Sequence, residues 1–234
     1  MAEIDQEKIR SIVAQVIENI RKQGLIDLPP QTSPAPRSVS IEQGQSGIFQ
    51  DVDSAIDAAE QAQQELVALG VEKRKELIAA IREAGIKNAR MLAELAVQET
   101  GMGRVEDKVQ KNEAAARLTP GVEDLKSEAK TGDRGILLVE RIPYGVIDAI
   151  TPITNPTSTV IHNSICMLSA GNSVIFSPHP SAKECTLKAM TLINEAIVRS
   201  GGPSNTLVSI AEPTLKTAKQ IMDHAKVNVV VATG

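Results

Sequence analysis

Residues 151–180 read TPITNPTSTVIHNSICMLSAGNSVIFSPHP, and this stretch decides the predicted fold. Pro152 and Pro156 stiffen a loop directly after the apolar run 146–150, because each proline fixes its own φ and keeps the preceding residue out of helical geometry. The apolar residues that follow recur at helical spacing, and Ser173–Phe176 then reads as a buried strand. A strand, loop, helix and strand of this length form one right-handed crossover of a parallel sheet.

This crossover also predicts where a ligand binds. Parallel α/β sheets bind ligands beyond the carboxyl ends of their strands. Two stiff loops, residues 151–156 and 177–180, follow directly after two predicted strands. The sequence therefore predicts an α/β domain with its binding site between these two loops.

Composition limits the possible classes of function. The chain has 234 residues with no Trp, one Tyr and two Phe, so aliphatic side chains must form its core. A formal charge of -4 without a basic stripe argues against nucleic-acid binding, which needs clustered cations. The two cysteines lack metal-ligand spacing, so no metal site is predicted. Because the chain also has no secretory or membrane-spanning apolar run, a reducing cytoplasmic setting is predicted.

The amino-terminal part predicts an amphipathic helix on a tether. Residues 1–24 carry apolar side chains on one helical face, at Ile9, Ile12, Val13, Val16, Ile17 and Ile20. Residues 25–47 contain three proline groups and few apolar residues, which is typical of a flexible linker. An isolated helix of this length is marginal in water, so it needs a partner surface. That surface belongs to the rest of this chain, to a second copy or to another protein. Mixed charges on the polar face of the helix disfavour a membrane surface.

The remainder reads as a helical part followed by an α/β part. Residues 48–130 form the helical part, with breaks at Gly70 and Gly85 and helices over 52–69, 71–84, 86–98 and 104–118. A strand is predicted over 136–142. Residues 151–234 supply the parallel-sheet part, with further helices over 181–198 and 212–225 and further strands over 206–210 and 227–231.

Four ordered motifs resemble one known family. They are ETGMG at 99–103, TPITNP at 151–156, AGNSVIFSPHP at 170–180 and VVATG at 230–234. Together they resemble the CoA-acylating aldehyde dehydrogenases, and within these the propionaldehyde and acetaldehyde enzymes of bacterial microcompartments. The resemblance covers the chain from Gly47 onward. It implies the aldehyde dehydrogenase fold, with a Rossmann-like parallel-sheet nucleotide-binding domain.

The resemblance also implies an activity. Enzymes of this family oxidise a short aldehyde with NAD and release the acyl group as a thioester of coenzyme A, after attack by a cysteine that lies beyond the VATG segment. On that basis the chain corresponds to the amino-terminal, cofactor-binding part without the nucleophile, and we expect no turnover from it alone. Residues 131–150 correspond to strands of an oligomerisation arm, so the complete enzyme is expected to be a homo-oligomer. Residues 2–24 correspond to an encapsulation peptide that docks onto a microcompartment shell protein and places the enzyme in the lumen.

The site residues come from the matched loops. Asn155 corresponds to the donor that stabilises the oxyanion, a role that typically contributes about a hundredfold or more to the rate. Contacts to the cofactor are expected from Pro152, Ile153, Thr154, Ser177, Pro178, His179, Pro180, Thr233 and Gly234. Hydrolytic aldehyde dehydrogenases place a lysine at the position of Ser177 to hold the adenosine ribose. The serine therefore suggests that this chain binds the nucleotide differently and that the smaller side chain leaves room for coenzyme A.

Other interpretations of the same residues stay open. Without the resemblance, Asn155 before a proline is ordinary turn chemistry. Cys185 falls early in a predicted helix whose dipole can lower a thiol pKa, but no paired base is visible, while Cys166 is expected to pack as a small apolar residue. His179 contacts the nucleotide or packs within its loop. The alternative to an enzyme is a non-catalytic module for shell docking or nucleotide binding, and the motifs separate neither propanal from ethanal nor NAD from NADP.

Overall fold

The computed structural model describes residues 47–234. Its strands are β1 Ile48–Phe49, β2 Glu128–Gly132, β3 Gly135–Val139, β4 Val146–Thr151, β5 Ser173–Pro178, β6 Leu207–Ile210 and β7 Val227–Ala232. Five of them form a parallel sheet in the order β1-β6-β5-β4-β7, and β2 pairs with β3 as an antiparallel hairpin. The predicted tethered helix, residues 1–24, and all but the last residue of the predicted linker, residues 25–47, lie outside the described residues.

Helices cover both faces of the parallel sheet. They are α1 Val52–Ala68, α2 Gly70–Lys87, α3 Ala89–Thr100, α4 Val105–Leu118, α5 Pro156–Ser169, α6 Lys183–Arg199 and α7 Leu215–Met222. On one face, Ile56 of α1 and Ile221 of α7 pack with Val146 and Ile175. On the other face, α5 and α6 cover the sheet, and α2, α3 and α4 pack against these two helices. The predicted α/β fold is confirmed, and none of the helices between residues 47 and 234 is long and apolar enough to cross a membrane.

The crossover of β4, α5 and β5 is built as its sequence predicts. Thr151 at the end of β4 lies opposite Pro178 at the end of β5, and the two strands run parallel. Pro156 occupies the first position of α5, where its missing N–H is not needed by the helix. Gly171 follows α5 with a left-handed φ of 85°, which turns the chain into β5. All residues of β5 are buried, as expected in the middle of a sheet that is covered on both faces.

The predicted break at Gly85 is wrong. Gly85 lies inside α2, and Asn88 separates α2 from α3 instead. A Cβ at position 85 would lie 3.1 Å from the Cβ of Ala116 and 3.3 Å from Cγ2 of Ile161. This glycine is therefore used for close packing of α2 on α4 and α5 and does not end a helix.

The segment 131–150 is divided differently from its predicted boundary. The predicted strand over 136–142 is β3, and its partner β2 contains Glu, Lys and Gly, which give little strand signal in the sequence. Residues 146–150 do not belong with the hairpin, because they form most of β4 in the centre of the parallel sheet. Between the hairpin and β4 the chain turns at Gly145, whose φ is 114°. Every residue of β2 and β3 is exposed.

Two helices of the α/β part begin later than the apolar pattern predicts. A short 3-10 turn, Pro180–Ala182, precedes α6, so the helix proper begins at Lys183. In α7, Thr214 and Thr217 form a reciprocal capping box, which fixes the start of the helix at Leu215. Both shifts leave residues 179–182 and 211–214 between the ends of β5 and β6 and the helices that follow. Ser177 and Pro178, which were predicted to lie in a loop, are the last residues of β5.

Candidate active site

The predicted binding segments meet at the carboxyl ends of the central strands. The amide of His179 donates to the carbonyl oxygen of Thr151 at 3.3 Å, which joins the two stiff loops. The amide of Thr233 donates to the carbonyl oxygen of Ile150 at 3.1 Å and brings in the segment after β7. A Cβ on Gly234 would lie 3.7 Å from the Cβ of Pro152. The segments that lie side by side are 151–156, 177–180 and 233–234.

The site residues differ in their access to solvent. Thr154, His179, Pro180, Thr233 and Gly234 are exposed, Pro152, Ile153 and Asn155 are half-buried, and Ser177 and Pro178 are buried. Ile153 packs against a small apolar cluster that includes Ala96 and Cys185. The exposed members therefore form the surface that a ligand can reach, and the buried members support it.

Asn155 is held so that its amide has a defined direction. Its side-chain oxygen accepts a hydrogen bond from Nζ of Lys111 at 3.0 Å. Its nitrogen makes only a long contact of 3.4 Å with Oγ1 of Thr154. Its backbone carbonyl accepts from the hydroxyl of Thr159 at 2.7 Å, which fixes the residue to the first turn of α5. The amide can therefore donate from Nδ2 while Lys111 holds the opposite end.

One face of α4 holds this loop, a feature that the sequence analysis missed. Lys108, Lys111 and Asn112 share that face because they are three and four residues apart. Nζ of Lys108 donates to the carbonyl oxygen of Thr154 at 2.6 Å, and the hydroxyl of Thr157 donates to Oδ1 of Asn112 at 2.9 Å. Lys108 and Asn112 are buried, and burial lowers the pKa of Lys108. The signal was present as polar residues at helical spacing, but the polar character of α4 pointed to a solvated face.

Ser177 faces inward rather than toward solvent. Its hydroxyl donates to Oδ1 of Asp148 at 2.7 Å, and both side chains are buried. Oδ2 of Asp148 has no hydrogen-bond partner among the described residues. Burial raises the pKa of the Asp148 carboxyl to about 6. This carboxylate gives little signal in the sequence because it lies within the apolar run 146–150.

The histidines make local contacts. Nδ1 of His179 accepts from the amide of Ser181 at 3.1 Å and caps the 3-10 turn, so the ring proton lies on Nε2. His162 has Nδ1 2.9 Å from Oγ1 of Thr119, and Nδ1 of His224 accepts from the amide of residue 226 at 3.2 Å. Within residues 47–234, no group of three His, Cys, Asp or Glu side chains could hold a metal ion.

The amino end of α6 does not lower the pKa of Cys185, contrary to what its place in the sequence suggested. The carboxylate of Glu99 accepts from the amides of Glu184 and Cys185, both at 2.8 Å, and so occupies the amino end of α6. Burial and the neighbouring carboxylate raise the pKa of the Cys185 thiol far above its ordinary value. Cys166 has its sulfur 3.7 Å from Nε2 of His162, and burial raises its pKa as well. Neither thiol is favoured as a thiolate at neutral pH.

The comparison with known families fits this arrangement. A profile described as the aldehyde dehydrogenase family matches residues 29–234. The chain belongs to this family. Among curated relatives, it is 50% identical over 220 residues to the acetylating acetaldehyde dehydrogenase EutE of Escherichia coli strain K12, and the match covers 94% of this chain and 46% of the relative.

Solved structures of similar chains support the same family assignment. The chain is similar to a propionaldehyde dehydrogenase from the fucose utilisation microcompartment of Clostridium phytofermentans, with a TM-score of 0.78, 46% identity, and coverage of 80% of this chain and 43% of that one. It is also similar to a Rhodopseudomonas palustris propionaldehyde dehydrogenase with bound CoA and an acylated cysteine, with a TM-score of 0.78, 43% identity, and coverage of 81% and 44%. The resemblance to the CoA-acylating enzymes is confirmed. The chain spans less than half the length of these relatives.

Asp148 makes the stability of the chain depend on pH. Its pKa is about 6 in the folded chain and 3.8 ordinarily, so the folded state holds a proton that the unfolded state releases. Stability therefore falls as pH rises from about 4 to about 6, and the loss is complete above that window. Asp148→Asn removes this titration. We expect the unfolding free energy of the variant, relative to that of the parent chain, to rise by about 3 kcal/mol between pH 4 and pH 8.

Urea denaturation at the two pH values measures this difference. Asp133→Asn is a matched control, because Asp133 is exposed in the turn between β2 and β3 and the substitution changes the net charge equally. Parallel pH profiles for the parent and the Asp148→Asn protein would contradict the assignment of this titration to Asp148.

Proposed function

We propose that the chain is the cofactor-binding part of an enzyme that oxidises a short-chain aldehyde, propanal or ethanal, to its acyl-CoA in the lumen of a bacterial microcompartment. The observation that carries the proposal is the Asn155 amide, which Lys111 holds beyond the carboxyl end of β4 while its nitrogen makes only a 3.4 Å contact with Thr154 Oγ1. When bound, NAD supplies the hydride acceptor, and coenzyme A supplies the thiol that takes the acyl group. The names of the relatives support the acylating reaction.

The carboxyl ends of β4 and β5 fit a bound dinucleotide. Thr151 Oγ1, in the last residue of β4, and Asp148 Oδ2, three residues earlier, are buried polar atoms without a hydrogen-bond partner among residues 47–234. Pro152, Ile153 and Thr154 would lie at the nicotinamide end, with Thr233 and Gly234 beside them. His179 and Pro180 would lie at the adenosine ribose, with the buried Ser177 and Pro178 behind them.

Asn155 would act on the oxygen of the aldehyde. A thiolate that attacks the aldehyde carbon turns the carbonyl oxygen into an oxyanion, and the Asn155 Nδ2–H donates to that oxygen. Lys111 draws electron density toward Oδ1 and so makes Nδ2–H a stronger donor. The attacking thiolate would come from chain outside residues 1–234, because Cys166 and Cys185 both have raised pKa values.

A turnover assay tests the proposal. Reduction of NAD that depends on both propanal and coenzyme A is measured for this chain and for a protein that extends beyond Gly234 through the nucleophile. We expect activity only in the longer protein. Activity in the 234-residue chain would overturn the location of the nucleophile, and absence of activity from both would favour a non-catalytic shell-docking or nucleotide-binding module.

Within the longer protein, Asn155→Ala should lower kcat by about a hundredfold or more, since a lost oxyanion donor has this effect. Lys111→Met should lower kcat by about tenfold and leave KM for NAD within about threefold, because it frees the amide to rotate without touching the nucleotide. Lys87→Met, at an exposed lysine in the last turn of α2, is the matched control. Unchanged kcat for Asn155→Ala would remove the oxyanion assignment.

The partner of residues 2–24 is proposed to be a microcompartment shell protein. The microcompartment origin of a similar structure supports this setting. Deletion of residues 2–24 should abolish co-sedimentation with purified shell assemblies. Dinucleotide affinity should stay unchanged, because every proposed cofactor contact lies between residues 152 and 234. Equal sedimentation with and without the segment would argue against this partner.

The β2–β3 hairpin is proposed as the arm that joins a neighbouring subunit. Its apolar side chains at Ile136, Leu137 and Leu138 are 77%, 57% and 60% exposed. Exposed apolar strands with unpaired edges favour pairing with another chain. In the longer protein, Leu138→Asp should lower the mass measured by light scattering, whereas Leu215→Asp, at an exposed leucine of α7, should not. An unchanged mass for Leu138→Asp would argue against the arm.

A further inference from the structure

Lys108 is a buried cation without an acidic partner among residues 47–234. It is 5% exposed, and its Nζ donates to the carbonyl oxygen of Thr154 at 2.6 Å, a short distance that is typical of a charged donor. The neighbouring acids of α4, Glu106 and Asp107, pair with arginines instead. Burying an ammonium without a counter-charge costs free energy, so such a group is retained mainly where function uses it.

The contact between α4 and α5 does not depend on this lysine. The hydroxyl of Thr157 in α5 donates to Oδ1 of Asn112 in α4 at 2.9 Å, and both residues are buried. Ala116, one turn further along α4, is fully buried in the same apolar core as Val160 of α5. The two helices are therefore joined by a hydrogen bond and by apolar packing. What Lys108 adds is a contact to the loop that carries Asn155.

The contact of Lys108 is one of three that fix Asn155. The carbonyl of Thr154 and the nitrogen of Asn155 belong to one planar peptide group, so the ammonium that holds this carbonyl also sets the direction in which the chain enters Asn155. On the other side, the carbonyl of Asn155 accepts from the hydroxyl of Thr159 at 2.7 Å and from its amide at 3.1 Å. The third contact is the bond from Lys111 to Oδ1. Asn155 has a φ of -139° and a ψ of 55°, which is neither helical nor extended, so these contacts determine its conformation.

The turn before α4 leaves room for the ammonium. Gly103 has a left-handed φ of 76°, and a Cβ there would lie 3.3 Å from Cε and 3.9 Å from Nζ of Lys108. Lys111 lies three residues further along the same face, and like charges at this spacing repel each other. Burial and the charge of Lys111 both lower the pKa of Lys108. The chain therefore keeps two cations against one loop although their repulsion costs stability.

We propose that Lys108 is a positioning residue that acts through Asn155. By holding the peptide group between Thr154 and Asn155, it aims the Asn155 Nδ2–H at the oxygen of the aldehyde. Lys108 does not touch the aldehyde, because its side chain is buried and its ammonium meets the backbone of the loop. The inference rests on the proposed function, in which the Asn155 amide is the oxyanion donor.

A double-mutant cycle tests this coupling in the protein that extends beyond Gly234 through the nucleophile. Reduction of NAD that depends on propanal and coenzyme A gives kcat for the parent, for Lys108→Met, for Asn155→Ala and for the double variant. Methionine has a side chain of similar length but cannot donate, so Lys108→Met should lower kcat by about tenfold to a hundredfold. In the Asn155→Ala background the same substitution should lower kcat by less than about threefold, because no donor is left to position.

Two further variants make the result specific. Lys87→Met removes a charge from an exposed lysine and should leave kcat unchanged in both backgrounds. If Lys108→Met does not fold by circular dichroism, Lys108→Gln takes its place in the cycle. Glutamine has a shorter side chain and no charge, so we expect the same difference between the two backgrounds.

The outcomes separate this inference from the proposed function. Equal losses of kcat in the two backgrounds overturn the inference and leave Asn155 as the donor, because Lys108 would then act on the structure as a whole. An unchanged kcat for Lys108→Met also overturns it, with or without a raised KM for NAD. An inactive parent, or an unchanged kcat for Asn155→Ala, overturns the proposed function and the inference with it.

Discussion

The parallel pairing of β4 with β5 and β7 sets the position of every candidate binding residue. Alternate residues of β4 face opposite sides of the sheet, so Ile147 and Ala149 pack in the core beneath α5 while Val146 packs beneath α1. A slip of one residue would exchange these faces and is therefore disfavoured. The same alternation places Asp148 on the α1 side, opposite Ile175 in register, and its carboxylate meets Ser177 two residues further along β5. Apolar packing thus determines the surroundings of the one carboxylate in the strand.

The second constraint comes from the helices that hold the two loops. In the ETGMG motif, Gly101 ends α3 with a left-handed φ of 67°, and Gly103 turns the chain into α4. A Cβ on Gly103 would lie 3.3 Å from Cε of Lys108, so the turn leaves space for that side chain. Glu99 of the same motif receives the first amides of α6. One short motif therefore aligns two helices, and each of them supports one of the two binding loops.

The sequence predicted the features that depend on local chemistry. The loops after β4 and β5 and the buried crossover between them were predicted because proline, glycine and apolar periodicity act over a few residues, although β5 extends two residues further than predicted, through Pro178. Features that depend on distant contacts were missed. Nothing within the chain near Lys108 indicates that its ammonium meets the carbonyl of Thr154, and nothing near Asp148 indicates a serine on the neighbouring strand. Gly85 was misjudged for the same reason, since its neighbours Ala116 and Ile161 are remote in sequence.

The two lysines that hold the Asn155 loop differ in their contact with solvent. Lys108 is buried and bonds to the backbone of the loop, whereas Lys111 is exposed and bonds to the asparagine side chain. Water competes with a hydrogen bond at the surface and does not reach a buried one. The side chain of Asn155 is therefore released more readily than its backbone, so the donor loses orientation before the loop loses its shape.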